Sequence, residues 1–258
     1  MTRTGDEREK GRGKEAGIRH LLMLAALLLF PHAGVYPFAP SHSFRFPLLP
    51  SGASLLPLAV AERSELDSLI AQVESRYGRM RGLAADFEQV YRAPGLRERR
   101  EHGRLVLQRP RRMRWEYDPK PGKLFVVNGR EVWFYVPADR EATHADASAV
   151  SDARFPFLFL LGQTNLRREF RSITLVERND ARGGTGTRLL RIVPRKGAGL
   201  REIFLEVYPD GRIVRVSLTD EGGAVSEVSL SNVRENYVAP ASAFDFVPPP
   251  GVTVRRQK

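Results

Sequence analysis

Apolar residues along the chain change period from segment to segment. Leu66, Leu69, Ile70, Val73 and Tyr77 recur at the spacing of one helical face, which predicts an amphipathic helix. Ser64, with Asp67 three residues on, is read as its N-cap, and Gly78 as its C-terminal stop. After Gly82 the period falls to two: Phe87, Gln89 and Tyr91 alternate with Asp86, Glu88 and Val90. Pro94-Gly95 turns the chain, and Leu105 and Leu107 mark the next strand. Met113, Trp115 and Tyr117 then share one face, with Arg114 and Glu116 on the other. Residues 123–127 and 131–136 flank Asn128-Gly129, a strong hairpin signal.

Residues 155–162 break this rhythm, being apolar nearly all round, with Pro156 suited to a first helical turn and Gly162 to a cap. A helix with no polar face has to be buried on most sides. Asn165 is read as the cap of a further short helical piece through Phe170. Strands resume at 172–178, 189–193, 202–208, 212–219 and 224–233, with Asp210-Gly211 as a second tight hairpin. About ten strands joined by short turns imply one large antiparallel sheet, which curls or closes. The fold class is therefore α+β, mainly β. Pattern alone is satisfied equally by a half-open barrel with a helical lid and by a plain sandwich.

The first 61 residues read differently. Arg3, Arg8, Lys10, Arg12, Lys14 and Arg19 precede an unbroken apolar run at 21–30, ended by Pro31 and Gly34. A basic segment followed by a short apolar one is the pattern of a cleaved export signal, and the run is shorter than the roughly 20 residues of a membrane span. Cleavage falls either near Gly34 or after Ala61, where Ala59-Val60-Ala61 fits the small-residue rule. Residues 31–60 are Pro/Ser-rich and unpatterned, so the folded domain is placed at 62–258.

Composition removes several classes of function. The chain has no cysteine, which excludes disulfides, thiol nucleophiles, thiolate metal sites and a lipid anchor on the chain itself. Lys+Arg number 41 against 30 Asp+Glu, a net charge of +11, but the arginines interleave with acids, as in Arg97-Glu98-Arg99-Arg100-Glu101. With no phosphate loop or stacking motif beside them, nucleic acid is not the expected partner. His144-Ala145-Asp146 is read as a solvated loop rather than a metal or acid–base site, and no nucleophile motif is present. Neither an enzyme nor a cofactor is expected.

A set of segments resembles the periplasmic lipoprotein carriers of the LolA family. They are Leu107-Gln108-Arg109-Pro110, Met113-Arg114-Trp115-Glu116-Tyr117, Val127-Asn128-Gly129 and Val132-Trp133-Phe134-Tyr135-Val136-Pro137, in that order and spacing. Phe87-Glu88-Gln89 is similar to that family's first strand, and Phe157-Leu158-Phe159-Leu160-Leu161 to its middle lid helix. The stretch from Phe244-Asp245-Phe246 through Pro248-Pro249-Pro250-Gly251-Val252 is similar to its closing segment. The leader is longer than the family's, and residues 143–152 have no clear counterpart in it.

The resemblance implies an incomplete antiparallel barrel, a lid of short helices and an apolar cavity for acyl chains. It implies a monomeric periplasmic chaperone with acylated lipoproteins as cargo, an inner-membrane ABC transporter as donor and an outer-membrane lipoprotein as acceptor. The candidate cavity residues are Phe87, Leu105, Leu107, Met113, Trp115, Phe125, Trp133, Tyr135, Phe157, Leu158, Phe159 and Leu161, each of which is otherwise ordinary core. Arg109 matches the family's lid-holding arginine; its bland alternative is an exposed arginine beside a proline. A guanidinium under a helix C-terminus can satisfy several orphan carbonyls at once. Two other functions fit the same fold: a transporter of glycolipid or another lipid, and a lipid-sensing regulator of envelope stress.

Overall fold

The computed structural model describes residues 56–147, 165–177, 186–195 and 199–256, with side chains from residue 63 onward. The chain order is α1 (Leu56–Arg79), β1 (Gly82–Arg92), β2 (Arg99–Gln108), β3 (Arg112–Tyr117), β4 (Leu124–Asn128), β5 (Glu131–Val136) and β6 (Glu141–Asp146). After these come α2 (Leu166–Glu169), β7 (Ser172–Val176), β8 (Arg188–Val193), β9 (Leu200–Val207), β10 (Ile213–Asp220), β11 (Val225–Glu235) and β12 (Thr253–Arg256). Among the described residues the strands form one curved sheet of twelve, ordered β12-β6-β5-β4-β3-β2-β1-β11-β10-β9-β8-β7. The first and last strands of that order do not meet, so the barrel is open. Chain-adjacent strands pair antiparallel within two runs, β1 to β6 and β7 to β11, and β11 returns to pair with β1. The sandwich alternative is thereby removed.

The predicted turns form for the expected reasons. Gly129 adopts φ 96°, and the Asn128 side-chain oxygen accepts from the backbone N–H of Arg130 (3.0 Å) and Glu131 (2.8 Å). Asp210 does the same for the N–H of Arg212 at 3.0 Å, with Gly211 at φ 81°. Asn165 caps α2 by accepting from the N–H of Arg168 at 3.0 Å.

Several boundaries differ from expectation. The first helix starts at Leu56, so Ser64 lies inside it rather than at its cap, and the helix crosses the boundary placed at residue 62. Pro57 stands in the first turn, where its missing N–H costs nothing, and alanines follow it. Gly78 lies within the last turn, not beyond it. Residues 143–146, which have no clear family counterpart, continue β6 on the edge of β5. β12 lies parallel to β6, the one parallel pair among the described strands.

One face of the sheet and α1 enclose the main core. Leu69, Ile70, Val73, Tyr77 and Met80 of α1 meet inward residues from every strand from β1 to β5 and from β7 to β11. A second, smaller core lies on the opposite face, where Ala239 and Phe244 cover Val126. It is tied down by Arg114, whose Nη1 donates to the Ala243 carbonyl (3.0 Å), and by Gln108, whose side-chain oxygen accepts from the Ala239 N–H (2.8 Å).

Candidate functional site

The interior is built from alternate residues of long strands. Leu105, Leu107 and Met113 are no more than 1% exposed, and Phe87, Phe125 and Trp115 no more than 8%. Phe87 meets Trp115 edge-on at 4.8 Å and Tyr117 at 5.1 Å. The facing wall is aliphatic, with Leu190, Ile192, Ile203, Leu205 and Val216 all fully buried. Polar groups enter at the end of β1 remote from α1's C-terminus. There Tyr117 donates its hydroxyl to Gln89 (2.7 Å), and Gln89 donates to Ser226 (2.9 Å). The Lys123 ammonium sits 4.4 Å above the Tyr117 ring and pairs with Glu101 at 2.6 Å. Burial lowers the Lys123 pKa, against the pull of Glu101, and raises that of Tyr117.

The C-terminus of α1 lies over the other end, held from two sides. From the β2–β3 hairpin, Arg109 donates its Nε to the carbonyl of Met80 and its Nη2 to that of Tyr77, each at 2.8 Å. These carbonyls stand at a helix end, where backbone donors run short; that of Tyr77 also accepts from the Met80 N–H at 3.3 Å. From the other side, Arg76 donates to Glu235 at the end of β11 (2.6 Å) and to Asp210 in the β9–β10 turn (3.2 Å). The Tyr77 hydroxyl accepts from the Ile213 N–H at 2.9 Å, and burial pushes its pKa up to about 12. Gly211 lets that turn approach, because a Cβ there would come within 2.5 Å of the Gln72 backbone. Farther up the helix, Glu65 pairs with Arg188 and Asp67 with Arg167.

Of the residues singled out from sequence, Phe87, Leu105, Leu107, Met113, Trp115 and Phe125 share this interior. Trp133 and Tyr135 do not. They project from the opposite face of β5, where both tilt against Phe246 and Trp133 stacks on His144 at 4.2 Å. Val132, Phe134 and Val136 take the inner positions instead. The run Val132-Trp133-Phe134-Tyr135-Val136 is apolar on both faces, so its phase could not be read from polarity. His144 is likewise in a strand, not a solvated loop, with its Nε2 3.2 Å from Glu131. Phe157, Leu158, Phe159 and Leu161 lie outside the described residues. Sequence reasoning missed Arg76 and Tyr77 as anchors, because nothing local marks the partners of a polar residue near a helix end. Among the described residues no cluster of three or more His, Asp or Glu could hold a metal ion. Nor is any described helix long and apolar enough to cross a membrane.

Fold and interior together define an open-barrel β protein wrapped around an apolar core, with one helix end secured across its rim. Residues 79–247 match the family described as "Outer membrane lipoprotein carrier protein LolA", and the chain belongs to that family. It is similar to the outer-membrane lipoprotein carrier protein of Chromobacterium violaceum, 28% identical over 210 residues covering 81% of this chain and 96% of the relative. The carrier of the same name from Methylococcus capsulatus is 29% identical over 180 residues, 69% of this chain and 83% of the relative. Among solved structures, an uncharacterised conserved protein from Thermus thermophilus aligns with TM-score 0.44 and 16% identity, covering 74% of this chain and 98% of that one. A LolA superfamily protein from Nitrosomonas europaea aligns with TM-score 0.39 and 13% identity, covering 70% and 97%.

Proposed function

We propose that this chain is a periplasmic, monomeric carrier that holds the acyl chains of lipoproteins in its interior and releases them by moving α1. Cargo comes from an inner-membrane ABC transporter and goes to an outer-membrane acceptor. The observation that carries this reading is the grip of Arg109 on the carbonyls of Tyr77 and Met80, directly above a buried apolar interior, in a LolA family chain. Each methylene withdrawn from a membrane costs about 0.8 kcal/mol, so extraction needs work from an ATP-driven donor. An apolar interior is non-directional and accepts varied chains. Among the described residues the inward side chains are almost wholly buried, so cargo enters as α1 gives way, and the Arg109 bonds are then lost. Arg109 thereby favours the empty, closed form and promotes release.

The test is transfer from loaded carrier to acceptor. Arg109→Leu removes two hydrogen bonds from a charged donor, and the loss of even one, worth about 1.5–3 kcal/mol, should shift the balance toward the loaded form roughly 10- to 100-fold. The variant should load normally and transfer poorly. Lysine should rescue only in part, since a point charge cannot span two carbonyls. Normal transfer by Arg109→Leu would sink the latch. Failure of the acylated lipoprotein to outcompete its unacylated form for a bound fluorophore would sink the carrier reading.

A further inference from the structure

The sheet is not continuous across its width. The ladder between β10 and β11 runs only from Thr219–Val225 to Arg215–Ser229 and then stops. Beyond it β11 continues to Glu235, paired with β1 alone, and β10 begins at Ile213, paired with β9 alone. Both strands carry an irregularity at this point. On β10 the register against β9 shifts between Ile213 and Arg215. On β11 it shifts against β1 between Ala84 and Asp86, where Asn232 adopts φ 50°. A bulge bends its strand and strengthens its twist, so two bulges on facing strands part them.

The resulting slot is a cleft of about 490 Å³, lined by Ile213, Val214, Leu230 and Val233 with Arg76, Arg212 and Glu235 among the groups around it. Leu230 and Val233 pack against the main core yet are only partly buried, unlike the inward side chains of β8 and β9. The slot and the main core therefore share these two side chains. Arg76 holds both lips, bonding Glu235 on β11 and Asp210 in the β9–β10 turn. The adjacent residue, Tyr77, occupies the Ile213 N–H, so this backbone donor is not offered to an added strand.

We propose that this seam is a side port for an alkyl chain, clasped by Arg76. Four aliphatic side chains, Leu230 and Val233 shared with the core among them, lie in it among polar and ionic groups, which suits the end of a long chain lying between core and solvent. The port rests on the carrier reading above. It extends that reading by setting which chain lengths are held, because a chain too long for the interior has a way out through the wall. It also couples the port to α1, since the turn that bonds Arg109 through Tyr77 carries the clasp.

The test compares one peptide in three forms: unacylated, octanoylated and palmitoylated. Val214→Trp fills the seam and should weaken palmitoyl-peptide binding about tenfold while leaving octanoyl-peptide binding unchanged. Arg76→Gln should speed palmitoyl-peptide exchange but not octanoyl-peptide exchange. Because the chain has no cysteine, Val214→Cys takes a single environment-sensitive fluorophore. Its emission should respond to the palmitoyl peptide and not to the octanoyl peptide. Equal effects on both acylated peptides, or a silent label beside normal wild-type binding, would overturn the port and leave the carrier intact. If the wild type prefers neither acylated peptide over the unacylated one, the carrier reading falls and the port with it.

Discussion

The two walls that meet the C-terminus of α1 are built differently. On the β1–β3 side, pairing is unbroken from Gly82–Gln108 to Tyr91–Arg99 and from Gln108–Arg112 to Gly103–Tyr117. That wall is packed within by Phe87, Trp115 and Tyr117, and its outer face is tied to the Ala239–Phe244 cluster through Gln108 and Arg114. On the β10–β11 side the ladder stops short, and the helix itself bridges the gap through Arg76 and Tyr77. A wall closed by unbroken strand pairing resists opening, whereas one closed by side-chain bonds to a helix opens when the helix moves. Regions of low local stability are where movable parts are found.

The comparison can be broken most severely in the solid wall. Phe87→Ala removes a ring that is 3% exposed and in edge contact with two aromatics. It should cost about 3–5 kcal/mol. Leu230→Ala, on the lip of the seam, removes a side chain that already borders an open cleft, and about 1 kcal/mol is expected. Urea unfolding of the two variants measures the difference. Equal losses would mean that the seam is as tightly packed as the wall opposite, and the distinction between them would fall.

The legibility of these regions in the sequence follows the same division. Alternation with polar residues placed Met113, Trp115 and Tyr117 on one face, and the structure agrees. Turn chemistry at Asn128-Gly129 and Asp210-Gly211 was legible because those side chains act on their own neighbours. Trp133 and Tyr135 were misplaced because a strand apolar on both faces carries no phase. The second core on the outer face is illegible for a different reason: its cover, residues 239–246, is remote in sequence from Val126. The seam leaves no composition signal at all. It arises from two register shifts, and register belongs to a pair of strands rather than to either one.

The smallest predicted effect concerns how α1 grips the seam. At neutral pH Tyr77→Phe deletes one hydrogen bond, from the Ile213 N–H, and should cost about 1 kcal/mol. Its pH dependence is more telling. In the folded chain burial raises the Tyr77 pKa to about 12, while the unfolded phenol titrates near 10. The stabilisation is therefore fully present below about pH 10. It is lost as pH rises toward 12, because the unfolded state then binds fewer protons than the folded one. A shift of that size corresponds to roughly 3 kcal/mol, so the alkaline loss should shrink by that order in Tyr77→Phe. Buried Tyr117, shifted in the same direction, leaves a remainder. The wild type should thus lead at neutral pH and lose its lead above pH 10, as read by urea unfolding at a series of pH values. Hydrogen exchange adds the spatial test: the Ile213 amide should exchange faster in the variant, while amides of the β2–β3 ladder keep their protection. An unchanged Ile213 amide would show that the lip is held without the tyrosine, and that the two walls differ less in construction than their ladders indicate.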